Sequence, residues 1–296
     1  ITHLKRPSGK LKYVFILGDA TYDFKNRTPN NFNIVPGYQS EESSNFVSSF
    51  ITDDYIVMTA PQTSTYIPGI LPDVPVGRIP AANITEASEM LDKTLGYYNA
   101  LPGQASPFGV WRMKLNFLAD DDNDGGTPFH TVMNNAIVQA FEGATDKPEY
   151  NVRKLYLDAF PAVSTAGGQR YPQVNQAISN DVSNSMYLFY FGHGGPNGWS
   201  QERILTSDEV QNFNNFNSIY SRTPLMSTIT CEFTLWDEPN VFSVGEQTMK
   251  LKNGGASTMI TSSRAVDVGY GVSFTAEFTK TIFKLFNDDF LPIGDA

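Results

Sequence analysis

Short apolar runs take turns along this chain with segments whose apolar residues recur every three or four positions. Runs at 13–17, 111–119, 152–157, 186–191, 225–230 and 255–261 read as strands, with shorter or weaker ones at 55–58 and 71–80. The run at 186–191 is uncharged, rich in aromatics and followed by glycine, the pattern of a strand buried on both faces. The spacing predicts helices from Thr85 to about Tyr98, with Asn83 or Thr85 as N-cap, and from just after the glycines at 125–126 to Phe141. Further helices are expected at 174–180, 205–216, 245–251 and 273–286, and Thr206-Ser207-Asp208-Glu209 marks the start of one of them. Strict alternation of the two patterns predicts an α/β fold, a three-layer α/β/α sandwich around a mostly parallel sheet. Residues 100–108 carry two prolines and a glycine and read as a linker, so two side-by-side subdomains are expected, 1–103 and 104–296. Residues 21–69 show little periodicity; they read as long loops in which Asp53-Asp54 caps a turn.

Chemistry enters at the strand ends, because reacting groups in an open parallel sheet gather just beyond the carboxyl ends of the strands. The run 186–191 leads into Gly192-His193-Gly194-Gly195, and 225–230 leads into Cys231, the only cysteine in 296 residues. The strand, the helix after Thr206 and the second strand form a βαβ unit, which would set His193 and Cys231 side by side. A thiol attacks only as thiolate, and a neighbouring imidazole is the usual device for removing its proton. Gly194 and Gly195, lacking Cβ atoms, would let a peptide carbonyl approach the main chain. A single cysteine excludes an internal disulfide; it is either a buried, inert thiol or a reactive one.

Beyond the strand ending at Ala119 lies Asp120-Asp121-Asp122-Asn123-Asp124-Gly125-Gly126, which has three readings. As a calcium loop, Asp120, Asp122, Asp124 and Gly125 fit, but Thr131 stands where a bidentate Glu is required. As a helix start, the carboxylates complement the macrodipole. As part of a catalytic centre, one carboxylate leans on His193 and holds its tautomer. His130, on the following helix, reads as a surface or packed histidine rather than a base.

A formal charge of −10 and a pI near 4.8 argue against a nucleic-acid partner and against an anionic membrane surface, while leaving basic peptides as substrates. No signal peptide and no apolar run approaching ~20 residues is present. The chain begins at Ile1 and stops in what reads as the start of another segment, so a piece excised from a longer secreted protein is expected.

Several motifs carry a family resemblance. Tyr190-Phe191-Gly192-His193-Gly194-Gly195, then Trp199-Ser200-Gln201-Glu202-Arg203-Ile204-Leu205, Thr230-Cys231-Glu232-Phe233 and Asp237-Glu238-Pro239, resemble the His-Gly and Cys ends of the gingipain-type cysteine peptidases, family C25. Gly18-Asp19-Ala20-Thr21-Tyr22-Asp23, Thr52-Asp53-Asp54-Tyr55, Val76-Gly77-Arg78-Ile79-Pro80, Arg170-Tyr171-Pro172 and Asn253-Gly254-Gly255-Ala256 extend the likeness over nearly the whole chain. The resemblance implies a caspase/gingipain-like fold, with Cys231 as nucleophile and His193 as its base. Main-chain N–H groups of Gly194 and Cys231 would form the oxyanion hole, and Gly195, Glu232 and Trp199 would face the substrate. Where the family has a Glu as third member, Asp121 is the nearest match, with Asp120 the other candidate. The implied chemistry needs no catalytic metal or cofactor; a structural calcium is the one ion the sequence suggests.

Within the family the likeness is strongest to the sortase of the type IX secretion system. That branch implies cargo proteins with C-terminal secretion signals, a lipopolysaccharide or similar glycan acceptor, other secretion subunits as partners, and the outer face of the outer membrane as location. A general endopeptidase and a non-catalytic scaffold are the competing readings. Arginine-specific members carry an acidic residue three positions before a histidine on the helix after the acidic loop. Anchored on His130 that position is Thr127, so no preference for Arg at P1 is expected, unless Asp124 serves instead.

Overall fold

The computed structural model of the protein describes residues 11–29, 31–40, 44–45, 47–58, 72–122, 126–142, 144, 146, 148–287 and 289–295. Its centre is a five-stranded sheet, all parallel, built from β3 (Lys114–Ala119), β4 (Asn151–Tyr156), β5 (Tyr187–Phe191), β6 (Leu225–Ile229) and β7 (Thr258–Thr261) in the order β7-β6-β5-β3-β4. A separate parallel pair joins β1 (Val14–Leu17) to β2 (Val76–Ile79), and α1 (Ile84–Tyr98) follows it, capped by Asn83 through its side chain. Gly103, at φ +91°, lies in a turn between α1 and β3.

Alternation along the central strands explains the layering. Leu188 and Tyr190 point to one face, where they meet Val174 and Ile178 of α3 (Pro172–Asp181), Val210 of α4 (Ser207–Gln211) and Val244 of α5 (Val244–Lys250). Tyr187, Phe189 and Phe191 point to the other, against Phe129, Met133 and Ile137 of α2 (Phe129–Phe141) and Phe278 and Ile282 of α6 (Val268–Ile282). All five residues of β5 are buried. Each such side chain stabilises the fold by about 1.5–3 kcal/mol, which makes this strand the anchor of both faces. The fold is therefore the expected three-layer α/β/α sandwich around a parallel sheet.

Several elements differ from the sequence expectation. Residues Asp54–Val57 form one helical turn rather than a strand, and Ile51–Thr52 is the strand instead, paired with Tyr38–Gln39. The apolar residues 55–58 are too few to distinguish the two periods, and the turn buries Val57. Residue 71, the expected start of β2, lies outside the described residues. The expected helix at 205–216 stops at Gln211: its capping box at Thr206 and Glu209 forms, but the Asn-rich segment 212–217 turns back on itself, with the Asn217 N–H donated to the Tyr220 carbonyl. Helix α6 starts at Val268, because Asp267 caps it by accepting from the N–H groups of Gly269 and Tyr270. It ends at Ile282, and Leu285–Phe286 belongs to a hairpin with Asp289–Phe290. Among the described residues no helix is long and apolar enough to cross a membrane.

Candidate active site

Three strand ends converge. Ile229 of β6 is in register with Phe191 of β5, and Phe191 with Ala119 of β3, so Cys231, His193 and Asp121 each stand two residues beyond matched positions. The ladder continues past the strands: the Gly192 N–H donates to the Ile229 carbonyl (3.3 Å) and the Asp120 N–H to that of Phe191 (3.2 Å). The βα alternation thus brings together the three segments that the sequence singled out.

His193 is exposed, but its main chain is held on three sides. Its N–H donates to Asp120 Oδ2 (2.8 Å), and its carbonyl accepts from Tyr190 Oη (2.6 Å) and from the Ser200 N–H (2.8 Å). The imidazole meets the Phe129 ring edge to face at 5.2 Å, so the start of α2 limits its rotation. Two glycines are required by close approach. A Cβ on Gly192 would lie 2.4 Å from Asp120 Cβ, and one on Gly194 would lie 2.5 Å from Thr230 Oγ1. Gly194–Gly195 then pairs with Gly198–Trp199 in a tight antiparallel hairpin.

Cys231 is half-buried, and its Sγ accepts the Val266 N–H at 3.4 Å, which fixes the sulfur at the rim of the sheet. Glu232, half-exposed beside it, has φ +52°, a left-handed conformation that costs a non-glycine residue on the order of 1–3 kcal/mol. The surroundings maintain it: its N–H donates to the Arg264 carbonyl (3.1 Å), and Arg264 grips the fully buried Asp237 through both guanidinium ends at 2.8 and 2.7 Å.

The carboxylates take distinct places. Asp121 is buried and accepts the Tyr171 Oη–H at 2.7 Å, whereas Asp120 is the one hydrogen-bonded to the His193 main chain. Burial pushes the Asp120 carboxyl up to about 6, against the opposing pull of the His193 N–H and of the His193 charge. A folded value above the ordinary 3.8 means that protonation of Asp120 favours folding. Its contribution is complete below about 3.8 and is lost as pH rises through about 6, a span worth roughly 3 kcal/mol. Asp120→Asn is therefore expected to lose less stability than the wild type between pH 4 and pH 7. Urea midpoints at the two pH values check this; an equal loss in both proteins would contradict it.

Trp199, expected to face substrate, lines the cleft beside His193 with its side chain turned inward. Its side chain is fully buried, stacked on Tyr190 at 4.6 Å and packed against Phe233, so it supports the His193 hairpin from behind. Gly195 does line an open cleft of about 1090 Å³ beside His193, together with Arg170, Phe242 and Gln247.

Of the residues in the calcium-loop reading, Asp124 and Gly125 lie outside the described residues. Asp120 groups with Asp121 and Glu202, whereas Asp122 groups with His130 and Asp158, whose Oδ2 is 3.3 Å from His130 Nδ1. These two clusters are the places where side chains could hold a cation. Sequence reasoning missed Tyr190 as a main-chain support and Arg264–Asp237 as the brace behind Glu232. Only the Asp-Glu-Pro motif hinted at the latter.

The parallel α/β sandwich thus carries a thiol and an imidazole at adjacent strand ends. The sequence profile of peptidase family C25 matches residues 1–296, and the chain belongs to that family. Among solved structures it is similar to the complex of the pro- and mature domains of Porphyromonas gingivalis RgpB, with TM-score 0.61 and 16% identity over 96% of this chain and 57% of that one. It is also similar to the Arg-specific cysteine proteinase gingipain R (RgpB), with TM-score 0.62 and 15% identity over 94% and 55% of the two chains. The chain thus spans just over half the length of these structures. A search of curated protein sequences gives no match.

Proposed function

We propose that Cys231 and His193 form the catalytic dyad of a peptidase that transfers its acyl group to an amine. The observation that carries the dyad is the placement of both residues two positions beyond in-register Ile229 and Phe191, in a chain of a cysteine-peptidase family. The Cys231 Sγ bonds to the scissile carbonyl carbon while its proton passes to the His193 imidazole. The N–H groups of Gly194 and Cys231 receive the oxyanion. Collapse breaks the C–N bond, the imidazolium protonates the leaving amine, and a thioester remains. Attack by an amine then restores the thiol.

The amine-transfer reading rests on the likeness of the motifs around His193 and Cys231 to those of PorU, the type IX secretion sortase. On that reading the substrates are cargo proteins with C-terminal secretion signals, and the acceptor is a lipopolysaccharide or similar surface glycan. The enzyme works on the outer face of the outer membrane with other secretion subunits. The test is mass spectrometry of cargo incubated with the full-length protein, with and without Cys231. A new carboxyl end bound to an acceptor amine supports transfer; a free carboxyl end gives a general endopeptidase; intact cargo in both samples gives a non-catalytic scaffold.

Substrate preference follows from Thr127, two residues before the Phe129 ring that touches His193. A hydroxyl lacks the charge and the paired acceptors that a guanidinium needs, and an unpaired buried Arg costs several kcal/mol. A peptide library varied at P1 is expected to show small or polar residues favoured. Preference for Arg of about tenfold or more, abolished by Asp124→Asn, would overturn this expectation.

A further inference from the structure

Three motifs of the N-terminal part, around Gly18-Asp19, Asp53 and Arg78, have no role in the chemistry above, yet the structure gathers them against the segment that follows Cys231. Asp53 stands at the N-cap of the Asp54–Val57 turn, as expected, while its carboxylate receives the Arg78 guanidinium in a two-point grip, Nε to Oδ2 at 2.8 Å and Nη2 to Oδ1 at 2.6 Å. Arg78 Nη1 donates to the carbonyls of Gly18 and Val35, both at 2.7 Å. The side chain is almost fully buried, and the guanidinium carbon lies over the Trp236 ring, 4.8 Å from its centroid. Such an arrangement uses the planar fork and the stacking face together, which a lysine cannot do.

Trp236 is half-buried, and what flanks it ties the contact to the nucleophile. The next residue, Asp237, accepts the Tyr22 N–H at its carbonyl (3.1 Å) and Gln39 Nε2 at its carboxylate (3.3 Å), two more contacts from the N-terminal part. Asp237 grips Arg264, whose carbonyl holds the N–H of the left-handed Glu232, the neighbour of Cys231. A residue in such a conformation persists only where its surroundings over-determine it. Here part of that determination comes from outside the catalytic sheet.

We propose that Arg78 is a positioning residue for the nucleophile: by holding Trp236 against the N-terminal part, it fixes the turn that sets the Cys231 thiol. The inference rests on Cys231 being the nucleophile, as proposed above. Contiguity alone does not establish coupling, so the test is a double-mutant cycle. The readout is the rate of Cys231 alkylation by iodoacetamide as a function of pH, with near-UV circular dichroism recording the folded fraction.

Arg78→Ala and Trp236→Leu are each expected to slow alkylation about tenfold and to move its pH midpoint, and the double variant should be no slower than the slower single one. Arg78→Lys should recover only part of the rate. Wild-type rate and midpoint in folded Trp236→Leu would overturn the proposal, as would a loss of rate that tracks the loss of folded protein. Should Arg78→Ala fail to fold, Arg78→Lys and Trp236→Leu decide the question. A wild-type thiol no faster than free cysteine would instead remove the dyad on which the inference rests.

Discussion

Cys231→Ala is expected to abolish cleavage and transfer while leaving a folded protein. In the proposed mechanism the thiol bonds to the scissile carbonyl, and the chain has no second cysteine to replace it. The structural cost is small, because Cys231 is half-buried at the rim of the sheet, where its Sγ accepts a 3.4 Å N–H from Val266. A loss within about 1 kcal/mol is anticipated. Thermal unfolding and cargo cleavage measured on the same preparation check both halves. A variant that fails to fold would mean that the cysteine is a packing residue after all.

His193→Ala should lower acyl-enzyme formation by about 10²–10⁴-fold, the range over which a positioned general base contributes. No described histidine is placed to substitute for it, since His130 is turned toward Asp122 and Asp158. The fold should again survive, because the supports of this residue, Asp120, Tyr190 and Ser200, all act on its main chain and an alanine keeps them. Single-turnover cleavage of cargo, followed by the appearance of the thioester, gives the number directly. Unchanged turnover would remove the imidazole from the mechanism.

The parts of this protein that were legible in its sequence are those where one physical demand dominates. Residues 187–191 had to be a strand buried on both faces because nothing in them tolerates water, and the capping box at Thr206 and Glu209 announced its helix. His193 and Cys231 were legible because each follows such a strand. Illegible were the places where tertiary partners decide. Tyr55-Ile56-Val57-Met58 suits a strand as well as a helical turn, and the grip of the Asp53 carboxylate on Arg78 of β2 shows only in the structure. The resemblance set Trp199 toward substrate, and only the structure shows its ring packed on Tyr190 and Phe233. Which of two adjacent aspartates meets His193 depends on the pleat beyond Ala119, which sequence spacing alone does not reveal.

The brace between Arg78 and Trp236 also bears on the order of events during folding. Its two halves lie far apart in the chain, and Arg264, which completes the support of Glu232, comes later still. Contacts of such long sequence separation form late, because the entropy of closing the intervening loop must be met first. The N-terminal part is synthesised early and waits for the segment after Cys231 to arrive. The turn beside Cys231 is therefore completed only when Arg264, late in the chain, has joined Asp237 and the N-terminal part.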